Sequence, residues 1–125
     1  MGKFGGYGGG GGMNMQQMMK QAQKLQEQMQ KAEQELDEMD VLGFSGGGEE
    51  GDETVVVYMN GKKVINGIEF GSKISEMVDL SDEDDVEMLE DLIMAAINDG
   101  YKKADAEYEQ KMGPLGNMGG LGGLL

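Results

Sequence analysis

The sequence of 125 residues contains no cysteine, no histidine and no arginine. These absences exclude disulfide scaffolds, thiol catalysis, imidazole general bases and the usual zinc sites. No apolar run approaches the ~18 residues that a membrane span requires, and no secretory signal is recognised. The serines lie in turn-like contexts without a candidate base beside them, so we expect no enzymatic activity and no cofactor. The expected location is the cytoplasm.

The 23 glycines are concentrated at the two ends of the chain. Both ends lack the apolar residues that would offset the loss of chain entropy on folding. We therefore predict a flexible tail over residues 1–12, one domain over residues 13–112 and a second flexible tail over residues 113–125. Docking of the apolar tail residues on the domain is the alternative.

A long first helix is predicted over Met13–Asp40, which contains no proline or glycine and is rich in good helix formers. Its apolar residues recur at alternating steps of three and four, which indicates a narrow heptad seam. The seam consists of Met15, Met18, Ala22, Leu25, Met29, Ala32, Leu36 and Met39. Because half of these residues are methionine, the seam is expected to pack adaptably.

The middle of the chain predicts a small β-sheet. Thr54–Met59 alternates β-branched and aromatic residues, and Asn60-Gly61 favours a type I′ hairpin turn into a return strand over Lys62–Phe70. Asn66-Gly67 inside that strand predicts a bulge or a second bend. A third strand is expected at about Val41–Ser45.

A second long helix is predicted over Asp82–Met112. Ser81 is a good N-cap, Asp84 completes a capping box, and the acidic first turn suits the helix dipole. Gly113-Pro114 predicts the end of this helix. Lys73–Val78 predicts a short helical turn between the sheet and the start of the helix. The apolar residues follow steps of three and four: Val86, Leu89, Ile93, Ala96, Ile97, Tyr101, Ala104 and Tyr108.

The predicted order is α-β-β-β-α, an α+β protein with a small antiparallel sheet and two long helices. Helices of 28 and 31 residues would be about 42 and 46 Å long, whereas a six-residue strand measures only about 20 Å. So small a sheet covers neither helix and leaves open edges, which favours a homodimer. The residues expected to build the core and the dimer interface are Val55, Val57, Leu89, Ile93, Ala96 and Ile97.

Three segments resemble the YbaB/EbfC nucleoid-associated proteins: MMKQAQKLQEQMQKAEQEL (Met18–Leu36), the Asn60-Gly61 turn and EMLEDLIMAAINDGYKKADAEYEQKM (Glu87–Met112). The specific part is the acidic-Met-Leu-acidic-Asp-Leu-apolar-x-Ala-Ala-x-Asn-Asp pattern of the second helix. The resemblance implies a tweezer-like homodimer with projecting helices. It also implies binding of double-stranded DNA, a change in DNA conformation, and a contribution to nucleoid organisation and gene expression. The sequence departs from the family pattern at Gly100, where alanine is expected, and in its acidity.

The distribution of charge along the first helix indicates where DNA would bind. Residues 1–26 carry three lysines and no acidic residue, whereas residues 27–40 carry one lysine and six acidic residues. This order opposes the helix dipole, which favours acidic residues first, so helix stability does not explain it. The predicted contact residues are Lys20, Lys24 and Lys31, then Lys102 and Lys103, with Lys3 in support.

The lack of arginine excludes bidentate contacts with guanine, so we expect contacts with the phosphate backbone and little sequence specificity. A net charge of −14 repels DNA at long range, but salt screens charges over about 8 Å, and local patches then decide contact. The alternative function is an acidic dimeric scaffold that binds basic proteins through the methionine-rich helix, without DNA. DNA binding would depend on the lysines, whereas protein binding would depend on the residues of the seam.

Overall fold

The computed structural model describes the backbone of residues 2–46 and 50–118 and the side chains of residues 15–46 and 50–115. Its elements are α1 (Gly2–Glu38), β1 (Val41–Phe44), β2 (Val55–Met59), β3 (Ile65–Phe70), α2 (Ile74–Met77) and α3 (Glu83–Met118). The predicted α-β-β-β-α order and the α+β class are confirmed, and the short helical turn expected after the sheet is α2.

Both long helices extend beyond the limits that the sequence predicts. α1 begins at Gly2, and α3 passes through Pro114 and ends at Met118. A proline inside a helix removes a backbone hydrogen bond and costs about 3 kcal/mol. Packing offsets this cost, because Leu115 and its neighbours line a groove with Leu25 of α1. The division into two flexible tails and a domain stays a prediction, and residues 119–125 lie outside the described residues.

The N-cap of α3 is Asp82, one residue later than predicted. Its Oδ1 accepts hydrogen bonds from the backbone N–H groups of Asp84 and Asp85 at 2.9 and 3.4 Å. The hydroxyl of Ser81 instead donates to Oδ1 of Asp79 at 2.6 Å. Hydrogen bonds from Ser81 hold the pKa of the Asp79 carboxyl below its usual range. The predicted Ser81 cap was wrong because Asp79 captures the hydroxyl that would have capped the helix.

The strands form one antiparallel sheet in the order β1-β2-β3. The hairpin at Asn60-Gly61 is confirmed, but the type I′ turn is wrong. The N–H of Lys63 donates to Asn60 O at 3.1 Å, that of Asn60 donates to Val64 O at 3.0 Å, and Lys63 has a φ of 68°. This is a three-residue loop whose last residue is left-handed. Oδ1 of Asn60 closes the loop by accepting from the N–H groups of Lys62 and Val64.

Gly61 is required by close packing rather than by a positive φ. Its N–H donates to Leu36 O at 2.8 Å, at the C-terminal end of α1. A Cβ on Gly61 would lie 2.6 Å from Cδ2 of Leu36 and 2.9 Å from Sδ of Met39. The tip of the hairpin therefore rests directly on the end of α1.

Ion pairs join the hairpin tip and the two long helices. They are Lys62–Asp37 (3.2 Å), Lys63–Asp105 (2.5 Å) and Lys111–Glu35 (2.9 Å). The hydrogen bond and the charge of Lys111 lower the pKa of the Glu35 carboxyl. Because the partners are largely exposed and screened by solvent, these pairs add little to the stability of the fold. Their larger consequence is that these three lysines are neutralised within the fold.

The bulge predicted at Asn66-Gly67 is confirmed. Between two successive pairs of the β2–β3 ladder the register shifts by one residue and leaves Asn66 unpaired. The extra residue brings Ile65 onto the same face of the sheet as Ile68 and Phe70, although Ile65 and Ile68 are three positions apart. The bulge thus gives β3 a continuous apolar face.

α3 packs on the sheet across β1 and β2. The buried cluster consists of Val41, Val55, Val57, Met59, Ile74, Ala96 and Ala104, with Leu89, Ile93 and Ile97 among the partly buried residues packed against it. All six predicted core and interface residues lie in or against this cluster, and their role in an interface stays a prediction. On the same face of the sheet Ile65, Ile68 and Phe70 remain 38, 46 and 49% exposed. The apolar face of β3 is therefore uncovered.

β1 and α3 meet backbone to backbone at Gly43 and Gly100. A Cβ on Gly43 would lie 2.1 Å from Ala96 O and 2.5 Å from the backbone nitrogen of Gly100. A Cβ on Gly100 would lie 2.4 Å from Cε of Met59. The end of the Met59 side chain thus occupies the space that a Cβ at position 100 would need.

We expect Gly43→Ala to lower the free energy of unfolding by about 1–3 kcal/mol, because backbone atoms cannot move aside. Gly100→Ala should cost less, since the end of Met59 can move and the helix gains about 1 kcal/mol of propensity. The control is Gly51→Ala, where nothing lies within 4 Å of the new Cβ. Urea denaturation measures all three variants. Equal stability of Gly43→Ala and Gly51→Ala would contradict the close contact.

Candidate nucleic-acid interface

α1 projects beyond the body as a helical arm. Its C-terminal half packs in the fold, where Ala32 and Leu36 are buried and Leu25 is half-buried. Every side chain of residues 15–24 is exposed. We call residues 15–24 the arm, which corresponds to about 15 Å of helix. The body therefore packs against the acidic half of α1, whereas residues 15–24 of its basic half are exposed.

The arm carries Lys20 and Lys24 and no acidic residue. These two lysines are one helical turn apart, where like charges destabilise a helix by about 0.2–0.5 kcal/mol. Neither of them forms an ion pair within the part of the chain that the structure describes. The arm thus presents two adjacent cations that form no ion pair among the described residues, although Glu27 lies one turn beyond Lys24, and such a pair suits neighbouring phosphates.

Lys31 is exposed on the same helix, but its surroundings are acidic. Glu27 and Glu35 lie one turn before it and one turn after it. The pKa of Glu35 is lowered chiefly by its hydrogen bond with Lys111 and to a smaller extent by the charge of Lys31. The structure therefore places Lys31 among partly compensating carboxylates, about 16 Å along the helix from Lys20.

Lys103 is held against the edge of the sheet. Its ammonium group contacts Oδ2 of Asp99 at 2.8 Å, donates to Leu42 O at 3.1 Å and lies 4.5 Å from the centre of the Phe44 ring. The N–H of Phe44 donates to the same Asp99 oxygen at 2.9 Å. We call Asp99 and Lys103 the edge lock, because they satisfy polar groups of β1 on the side away from β2. The sequence offered only the i,i+4 spacing of this pair as a signal.

Two opposed effects act on the pKa of Asp99. Partial burial acts to raise it, but hydrogen bonds from Lys103 and from the Phe44 N–H, together with the lysine charges, outweigh burial. The pKa of the Asp99 carboxyl therefore lies below its usual range. A carboxyl with a lowered pKa in the folded state stabilises the fold above the unfolded-state pKa of about 4, and this contribution is lost as the pH falls below it.

The other predicted contact residues are dispersed. Lys102 is exposed on α3 and forms no ion pair among the described residues. Lys3 belongs to α1, but its side chain lies outside the described residues. Lys73, which is not among the predicted contact residues, is an exposed lysine just before α2. Among the lysines whose side chains the structure describes, only Lys20 and Lys24 are adjacent on the arm.

The residues that the structure describes contain no group of three potential metal ligands. Within the same residues no helix combines the length and the apolar composition needed to cross a bilayer.

Comparison with known proteins points to nucleic acid. The model of the YbaB/EbfC DNA-binding family matches residues 10–120. A nucleoid-associated protein of Lachnoclostridium phytofermentans is 40% identical over 79 residues, which cover 60% of this chain and 61% of that protein. A nucleoid-associated protein of Chloroflexus aurantiacus is 42% identical over 85 residues, covering 68% of this chain and 72% of that protein. The chain spans less than two thirds of the length of the first of these relatives.

We expect Asp99→Asn to be less stable than the native protein at neutral pH, because the ion pair with Lys103 is lost. The difference should shrink as the pH falls from about 6 to about 2.5, where the native carboxylate also loses its charge. The control is Asp91→Asn, which changes an exposed carboxylate of the same helix. Urea denaturation across this range measures the difference. A difference that does not vary with pH would contradict the role of the Asp99 charge.

Proposed function

This chain belongs to the YbaB/EbfC DNA-binding family, and on that basis we propose that it binds double-stranded DNA as a nucleoid-associated protein. The proposal includes little sequence specificity, a change in DNA conformation, and a contribution to nucleoid organisation and gene expression. It also places the protein at the nucleoid in the cytoplasm, without enzymatic activity. The family description and the names of the relatives support the proposal.

The cationic pair on the arm is the observation that carries this proposal. DNA affinity comes largely from lysines that neutralise phosphates and release counterions. The chain as a whole has a charge of −14, but charges more than about 8 Å away are screened at physiological salt. Lys20 and Lys24 stand on an element that carries them away from the acidic body. A duplex that approaches the arm from its N-terminal end therefore meets Lys20 and Lys24 before Glu27, the first carboxylate of α1.

The contacts are expected to be with phosphates. Lysine is a flexible point charge, and with no arginine in the chain the commonest specific contact with guanine is absent. Lys20 and Lys24 are therefore the leading contact residues. Lys31 follows them because of its acidic neighbours, and Lys102 precedes Lys103 because the edge lock occupies Lys103.

A homodimer completes the proposal, because one chain leaves its sheet unfinished. The apolar face of β3 continues the buried face of β1 and β2, yet Ile65, Ile68 and Phe70 are substantially exposed. A second copy that covers this face would bury these residues, at about 25 cal/mol per Å² of apolar surface. Such a dimer carries two arms, so it engages DNA at two places.

The acidic scaffold remains the second candidate, and the methionines of the arm favour it. Met15, Met18 and Met19 are all exposed on a helix whose methionine-rich seam suits varied protein partners. In that function the lysines of the arm have no role, and substitution of Met18 by a charged residue abolishes binding of a basic partner.

We expect Lys20→Gln/Lys24→Gln to bind duplex DNA more weakly, whatever its sequence, because two phosphate contacts are lost from each arm. The slope of log K against log salt should fall by about 0.9 for each lysine removed from a contact. Electrophoretic mobility shift at several salt concentrations measures both quantities. The matched single variants are Lys24→Gln, which weakens binding, and Lys73→Gln, which leaves it unchanged. Unchanged binding by the double variant would exclude the arm as the DNA site.

We expect Ile68→Glu to convert the dimer into a monomer of 13.5 kDa, because a buried unpaired carboxylate is strongly unfavourable. Leu80→Glu is the matched control, since Leu80 is exposed and lies outside the sheet. Sedimentation equilibrium measures the mass, and circular dichroism checks that both variants fold. A dimeric Ile68→Glu protein would show that β3 is not the interface.

A further inference from the structure

The outer side of the arm carries amides as well as cations. Gln17, Lys20, Gln21 and Lys24 follow the i, i+3, i+4, i+7 spacing that places side chains on one face of a helix. All four residues are exposed. The apolar seam lies about 130° away from them around the helix axis. We call these four residues the polar face of the arm.

Helix stability does not explain the composition of the polar face. An exposed helix is stabilised by acidic and basic residues one turn apart, but residues 15–24 contain no acidic residue. The first carboxylate of α1 is that of Glu27, which lies beyond the arm. The polar face instead combines two cations with two uncharged amides, and each amide has both donors and an acceptor.

A glutamine amide matches one base edge of duplex DNA. In the major groove adenine presents the N7 acceptor and the N6 donor, and the side chain of glutamine pairs with both. Guanine presents two acceptors there, N7 and O6, so it satisfies only the NH₂ half of the amide. An A·T base pair is therefore the better complement of Gln17 and Gln21.

The dimensions of the arm suit the major groove. A helix with its side chains is about 10–12 Å across, and the groove is about 12 Å wide. Gln17 and Gln21 are about 6 Å apart along the helix axis, close to two base-pair steps of about 3.4 Å each. Lys20 and Lys24 alternate with them along the helix, and their longer side chains reach the phosphates at the wall of the groove.

We propose that Gln17 and Gln21 contact adenine bases in the major groove and give the protein a small preference for A·T-rich duplexes. The inference deepens the proposed function and rests on it, because the lysines of the arm bind the phosphate backbone in both. Sequence-specific regulators prefer their sites by about 10³-fold or more. A preference from two amides is far smaller, so it agrees with little overall sequence specificity.

Mobility shift of the full-length protein with two duplexes of equal length, one of alternating A·T pairs and one of alternating G·C pairs, tests the inference. We expect the native protein to bind the A·T duplex at least about fivefold more tightly. Gln17→Ala/Gln21→Ala should lose this preference without a change in the slope of log K against log salt, because amide contacts release no counterions. The matched control is Gln23→Ala, an exposed glutamine of the arm outside the polar face, which should keep the preference. Alanine is the best helix former, so these variants retain a helical arm.

A third duplex separates base contacts from DNA shape. It carries 7-deazaadenine in place of adenine, which removes the N7 acceptor and keeps the Watson–Crick pairs and the minor-groove edge. We expect the native protein to bind this duplex more weakly than the unmodified A·T duplex. The Gln17→Ala/Gln21→Ala protein should bind the two alike, because it no longer contacts N7.

Three results would overturn the inference and leave the proposed function intact. They are equal affinity of the native protein for the A·T and G·C duplexes, a preference that persists in Gln17→Ala/Gln21→Ala, and undiminished binding of the 7-deazaadenine duplex. The last result would assign the preference to the shape of the minor groove. Failure of the native protein to bind any of the three duplexes would instead overturn the proposed function, and this inference with it.

Discussion

The contact between the backbones of Gly43 and Gly100 is the constraint on which the rest of the structure depends. Two glycines at the crossing allow α3 to lie directly on β1, closer than any pair of side chains would permit. This proximity brings Asp99 and Lys103 to the backbone polar groups of β1. It also positions α3 over β1 and β2, so β3 is left with its apolar face uncovered. The close crossing therefore explains why α3 covers β1 and β2 and why the apolar face of β3 stays exposed.

The charges of the molecule are separated by the same architecture. Lysines of the hairpin tip and of α3 are paired with carboxylates of the two long helices. The acidic half of α1 is used in these pairs, while its basic half extends beyond them. Individual exposed ion pairs add little to stability. Their effect on the surface is greater, since they neutralise four lysines of the body, whereas Lys20 and Lys24 on the arm form no ion pair among the described residues.

The sequence predicted the structural elements that depend on periodic patterns of residues. It failed where contact with one other side chain determines the local structure. The order of elements, the hairpin and the bulge at Asn66-Gly67 followed from local patterns. The type I′ turn was wrong because Gly61 is fixed by contact with Leu36, which is distant in sequence. The Ser81 cap was wrong because Asp79 competes for its hydroxyl. For the candidate site, the polarity of charge along α1 was readable, whereas the structural role of Lys103 required knowing that α3 crosses β1.

The edge lock has a consequence for how far such molecules can assemble. In the sheet order β1-β2-β3, two of the groups that a new strand would need on the outer side of β1, the N–H of Phe44 and the carbonyl of Leu42, are already bound by Asp99 and Lys103. Growth of a sheet by strand addition can then proceed from one side only. If two copies join on the side of β3, the strands at the two outer edges of the combined sheet are both β1. The edge lock in this way opposes strand addition at β1, one route to fibril formation in an unfinished sheet.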